Sequence, residues 1–184
     1  NKQMRISNDY AWLGNIPDAP LMIKEAVRIG KLNTNEIPGP KSNPEIMKLA
    51  EIAGVANIYK SDETAWCAVA MSAIAILAYK ELPFTGFDRL RASSFLKFGT
   101  PVSEPVLGDI LVFSRTGGGH VGMYVGEDKD FYHVVGGNQS NQFNVIRIAK
   151  NRLSGARRPN YKVMPKSAKK YFLSPLGAVS KNEA

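Results

Sequence analysis

At 184 residues, with 44% hydrophobic and 22% charged, the chain has the length of about one domain, taking roughly 150 residues per domain, and enough apolar content to bury a core. No run reaches the roughly 20 apolar residues of a membrane span, and a single cysteine with two histidines excludes a disulfide framework and argues against a structural zinc site. The net charge is +8; nine basic residues (Arg147, Lys150, Arg152, Arg157, Arg158, Lys162, Lys166, Lys169 and Lys170) lie in one stretch without Asp or Glu, so the rest of the chain is close to neutral. Such a block reads either as a solvated face or as a surface for a polyanion.

Residues 1–19 carry Trp12, Gly14 and Pro17 and read as an arm packed on the domain. The start has no apolar stretch of the signal-peptide kind, so none is expected. Leu21 to Ile29 has the spacing of an amphipathic helix. Glu36-Ile37-Pro38-Gly39-Pro40 must be a loop. Asn43-Pro44-Glu45 has the form of an N-cap followed by proline at the first helical position, opening a helix to Ala53 that Gly54 ends. Ser61 to Thr64 offers capping oxygens before Ala65–Tyr79, a helix apolar on nearly every side and therefore central. After Pro83 a mixed stretch runs to Pro105. The period then changes: strands are expected at 109–114, 120–126, 131–137 and 142–148. Helices followed by an antiparallel meander define an α+β domain, expected over 20–159, with a basic tail over 160–184.

Cys67 falls in the first turn of the apolar helix, where free amides and the helix dipole favour a thiolate. The bland alternative is a small buried hydrophobe. His120 opens a strand directly behind Gly117-Gly118-Gly119, a place suited to a general base facing a cleft. A third group should orient its ring. If Asp128-Lys129-Asp130 is a three-residue turn, His120 lies opposite Asn138 on the same face. A one-residue slip would turn Asn138 away and leave Gln139 as the substitute. His133 lies five residues along the hairpin, about 16 Å from His120, too far to orient it. Glu127 to Asp130 lacks calcium-loop spacing and reads as a solvated turn.

Four segments in this order (Asp62-Glu63-Thr64-Ala65-Trp66-Cys67-Ala68; Gly108-Asp109-Ile110-Leu111-Val112-Phe113; Gly119-His120-Val121-Gly122-Met123-Tyr124-Val125-Gly126; Gly136-Gly137-Asn138-Gln139) resemble the cysteine/histidine-dependent amidohydrolase/peptidase (CHAP) group and its NlpC-type relatives, which are papain-like cell-wall hydrolases. The resemblance covers Pro20 to Pro159 and is nearest a phage-associated branch carrying the upstream Glu36–Pro40 and Asn43-Pro44 segments. It implies a papain-like fold with a cysteine-bearing helix packed on a sheet, Cys67 as nucleophile, His120 as base and Asn138 as third member. Many CHAP domains have a glutamate where this chain has Gly136, and NlpC-type enzymes often use a histidine as the third residue.

The expected function is therefore thiol-dependent hydrolysis of amide bonds in peptidoglycan, as stem-peptide endopeptidase or amidase, without metal or cofactor. It would act in the periplasm or on the cell wall as a monomer. Phage lysis, wall remodelling and toxin delivery, with an immunity protein or delivery machinery as partner, fit equally. Acyl transfer by the same residues is a weaker variant. The competing class is a non-catalytic basic module for an anionic polymer. No phosphate-binding glycine loop or RNA-binding aromatic signature supports nucleic acid.

Overall fold

The order of helices then strands follows from the change of hydrophobic period, and the computed structural model, which describes residues 8–31, 43–60, 65–115 and 118–175, has that order. The expected Glu36–Pro40 loop, the Ser61–Thr64 cap and Gly117 lie outside the described residues. Helix α1 (Leu21–Gly30) buries Met22, Ile23, Ala26 and Ile29 on one stripe. Helix α2 (Pro44–Ile52) starts as its sequence dictates: the Asn43 side chain accepts the Glu45 N–H at 2.8 Å and Pro44 needs no donor. Gly54, at φ 73°, sits just past its end.

Helix α3 (Cys67–Tyr79) is buried from Cys67 to Ala75, the expected outcome for a helix without a polar face. It stops at Lys80, which is left-handed at φ 70°. Both α1 and α2 pack on α3, which in turn covers the middle of a sheet.

That sheet is antiparallel, with six strands in the order β1-β6-β2-β3-β4-β5. The four expected strands are β2 (Ile110–Arg115), β3 (Gly118–Glu127), β4 (Phe131–Gln139) and β5 (Gln142–Ala149). Two more, β1 (Thr100–Val102) and β6 (Leu153–Arg158), extend the meander beyond β2. The domain is thus α+β. Val121, Met123, Val125 and Val135 face the helices in the main core. Alternation gives the other face a second apolar cluster, with Leu111, Phe113, Tyr124, Tyr132 and Val134.

The flanking residues are part of this packing. Tyr10 and Leu13, in 3-10 turns over Asn8–Asn15, are buried in the main core. Phe172 bridges Glu127 as a short parallel pair, and the Tyr171 ring lies 5.0 Å from Trp12.

Candidate active site

Cys67 is the first residue of α3 and is 4% exposed. Trp66, the cap residue, makes no side-chain hydrogen bond to the helix end, and the first turn of α3 presents the positive end of the helix dipole to the thiol. Trp66 is fully buried, and its ring packs against β4 at Gly137. A Cβ added to Gly137 would stand 2.7 Å from the indole and 3.0 Å from the Ala70 Cβ. Only glycine permits this approach, which seats the first turn of α3 on the last residues of β4.

Because β3 and β4 are antiparallel, the start of β3 and the end of β4 share one end of the sheet, and this is the end on which α3 begins. His120 is there, fully buried, its ring stacked on Phe113 at 6.4 Å between centroids. It alternates with Gly122 and Tyr124, out of phase with Val121 and Met123 under the helices. The imidazole and the cysteine-bearing helix therefore approach the end of the sheet from its two faces.

The group bonded to the His120 ring is Gln139 and not Asn138. Nε2 of His120 lies 2.9 Å from Oε1 of Gln139, which is fully buried. The expected register holds in the middle of the hairpin, with Met123 opposite Val135 and Tyr124 opposite Val134. Beside the turn the partners are Gly126 with His133 and Glu127 with Tyr132, one step off the expected pairing, and an irregularity between Tyr124 and Gly126 restores it. A second irregularity, between Gly136 and Gln139 along β5, defeats the extrapolation to Asn138, which takes the left-handed conformation at φ 59°. This extra residue advances the alternation and puts Gln139 on the His120 face. Asn138 is 2% exposed, and its Oδ1 has no hydrogen-bond partner among the described residues. The Asn-Gly preference for strained backbone was the available signal in Gly136-Gly137-Asn138.

The orientation of Gln139 is set by its other end. Its Nε2 faces the carbonyl oxygens of Val134 (3.2 Å) and Asn144 (2.9 Å) and Oδ1 of Asn144 (3.1 Å). All three are acceptors, so the NH2 end of the amide belongs there and Oε1 faces the imidazole. An oxygen without a proton requires Nε2–H on His120, which leaves the lone pair of the neutral ring on Nδ1.

His133 belongs to a different cluster. It pairs with Gly126 near the opposite end of β3, and both ring nitrogens are engaged, Nδ1 with the Tyr10 hydroxyl at 2.7 Å and Nε2 with Asp128 Oδ2 at 2.8 Å. Asp128 also accepts a forked pair of bonds from Arg147 at 2.8 and 3.1 Å. Burial works to raise the Asp128 carboxyl, but the hydrogen bonds from Arg147 and His133 outweigh it and bring it down to about 2. Burial lowers the pKa of His133, partly opposed by Asp128, and lifts Tyr10 to about 12. The turn expected to be solvated is thus a bonded corner: Glu127 is also buried, accepting from Tyr124 at 2.6 Å and from Lys150 at 2.8 Å.

The Asp of the Gly108-Asp109 motif has a structural task. It is fully buried, caps the Val106 N–H at 2.9 Å and takes a forked pair from Arg158 at 3.0 and 2.8 Å. Arg158 is one of several residues of the basic block whose charge is answered inside the molecule. Arg147 pairs with Asp128, Lys150 with Glu127 and Lys170 with Glu104, and Arg157 donates to the carbonyls of Phe98 and Gly99. Lys162, Lys166 and Lys169 are exposed.

A cavity of about 490 Å³ lined by Tyr79, Leu82, Phe98 and Asn160 lies at the far end of α3, roughly 20 Å along the helix from Cys67. It is separate from the His120 site. Among the described residues no cluster of three or more His, Cys, Asp or Glu side chains is placed to hold a metal, and no helix is long and apolar enough to cross a membrane. No protein-family model matches the chain, and no curated protein matches it.

Proposed function

We propose that the chain is a papain-like cysteine hydrolase that cleaves amide bonds of peptidoglycan, with Cys67 as nucleophile, His120 as base and Gln139 as the residue that orients the ring. The observation that carries this reading is the buried 2.9 Å bond between His120 and Gln139, at the end of the sheet where the Cys67 helix begins. It favours a base held by an orienting group, two of the three parts that nucleophilic catalysis needs, at the end of the sheet to which the first turn of α3 brings Cys67. The choice of substrate rests on the motif resemblance to CHAP and NlpC-type enzymes alone. Action on the wall or in the periplasm follows from that choice.

In this reading His120 Nδ1 takes the thiol proton. The Cys67 sulfur attacks the amide carbonyl, and the Cys67 backbone N–H helps hold the tetrahedral oxyanion. The imidazolium returns its proton to the leaving amine. Water, deprotonated at Nδ1, then releases the acyl group from Cys67. The Gln139 amide keeps Nε2 protonated throughout and steadies the ring. The competing view of a basic polyanion-binding module loses support from the internal pairing of Arg147, Lys150, Arg158 and Lys170.

The test is digestion of purified peptidoglycan, with the released amines identified by mass spectrometry. Cys67→Ala and Cys67→Ser are expected to abolish digestion with the fold intact. Retained digestion by folded Cys67→Ala protein, or none by the wild type, would remove the hydrolase reading.

A further inference from the structure

An amide has a donor end and an acceptor end, and a cage made only of oxygens can receive the donor end alone. The Gln139 NH2 group sits in such a cage, formed by Val134 O, Asn144 O and Asn144 Oδ1. The two carbonyls are fixed by the β4–β5 ladder, in which Gly136 lies opposite Asn144. Asn144 Oδ1 is the cage oxygen that belongs to a side chain. The space around the amide is kept by glycine: a Cβ on Gly136 would come 3.1 Å from Gln139 Oε1.

We propose that this cage is a polarity lock: Asn144 acts through Gln139 as a positioning residue that fixes the His120 tautomer, and position 139 accepts an amide but not a carboxylate. The proposal rests on the reading of His120 as the base. A carboxylate in place of the Gln139 amide would set an oxygen against three oxygens at a fully buried position. The group would hold its proton, since desolvation and facing lone pairs both penalise the anion. The third member is thereby kept neutral, and its hold on the ring is geometric.

The experiment reads the ring nitrogens of His120 directly, by long-range 1H–15N NMR on 15N-labelled full-length protein across pH 4–9. In the wild type the neutral ring is expected as the Nε2–H tautomer. Asn144→Asp keeps the oxygen and adds charge to the cage, so the same tautomer is expected with the His120 pKa raised by about half a unit to one unit. In Gln139→Glu the introduced carboxyl should appear in the His120 titration as an inflection well above the ordinary carboxylate value of about 4. A wild-type ring in the Nδ1–H form, an unmoved pKa in Asn144→Asp, or a carboxyl titrating near 4 would each overturn the lock. If Gln139→Glu does not fold, the wild type and Asn144→Asp still decide. Activity is not the readout, so failure here is distinct from failure of the hydrolase reading: an active Cys67→Ala protein would end that reading and leave the tautomer result standing.

Discussion

Gly137 lies under the Trp66 indole at a distance that leaves no room for a methyl group, the nearest ring carbon being 2.7 Å from where a Cβ would stand. The contact fixes the height of the α3 start, and so of Cys67, above β4. Gly137→Ala should push the helix end away from the sheet. Overpacking of this kind costs about 1–3 kcal/mol, whereas a displacement of about 1 Å at a reacting group can cost about 10²-fold in rate. The expected result is a folded protein with a modestly lower Tm and peptidoglycan turnover reduced far more than stability. Thermal melts beside digestion rates check it, and unchanged turnover would detach the Trp66 contact from the site.

Gln139 and Asn138 should separate cleanly. Gln139→Ala frees the imidazole and should reduce turnover about 10- to 10²-fold, less than loss of Cys67, because a loosened ring still visits the productive geometry. Asn138→Gly keeps the left-handed backbone that φ 59° requires and should stay within about threefold of wild type. Equal damage from both substitutions would return Asn138 to the catalytic set.

His133→Ala should injure stability and spare chemistry. It deletes a buried ring and leaves Tyr10 and Asp128 each short of a partner, a combination worth about 2–4 kcal/mol. Denaturant melts and digestion rates below the unfolding range test this. A stable but inactive protein would place His133 in the mechanism.

The same cluster makes an acid-side prediction. His133 is held below its ordinary pKa of 6.5, chiefly by burial, so its contribution is complete above pH 6.5 and is lost as pH falls through the lowered folded value. Asp128, brought from 3.8 to about 2, contributes above pH 3.8 and is lost as pH falls toward 2. That second contribution is on the order of 1–2 kcal/mol once solvent screening is allowed for. Buried Asp109, raised by desolvation, works in the opposite sense, so the comparison is between wild type and His133→Gln. The Tm gap between them should be constant above pH 6.5 and narrow below it. A gap that widens on acidification would reverse the sign assigned to His133.

Arg158→Ala should be among the most destabilising surface-side substitutions. It strands the fully buried Asp109 carboxylate, and breaking such a pair from one side costs about 3–5 kcal/mol. Asp109→Asn with Arg158→Ala together should recover part of the loss, and Tm values for the single and double variants measure the coupling.

What could be read in advance follows from how local its cause is. The start of α2 is written in Asn43-Pro44 and the burial of α3 in a stretch apolar at nearly every position, and both hold. The β6 strand was illegible because Arg157 and Arg158 look like part of a solvated basic block. Their charges are instead absorbed by Asp109 and by backbone carbonyls from distant residues. The step from Asn138 to Gln139 has the same origin. Strand alternation carries the correct register to Val135, but a residue inserted beside Gly136 changes which side chain faces His120. The amide needed there was present in the sequence, and only the path of the backbone could choose between its two bearers.

The strand order also bears on how the chain is completed. Each of β2 to β4 pairs with the strand that follows it, so these hairpins can close as soon as they are made. By contrast β6 inserts between β1 and β2, with Thr100 opposite Arg158. In a growing polypeptide the outer edge of β2 stays bare until residue 158 has emerged, and β1 has no neighbour until then. An unpaired edge of this kind is a template for the wrong partner. The protein is therefore most exposed to self-association late in synthesis, after the hairpins have formed and before its final strand has slid into place.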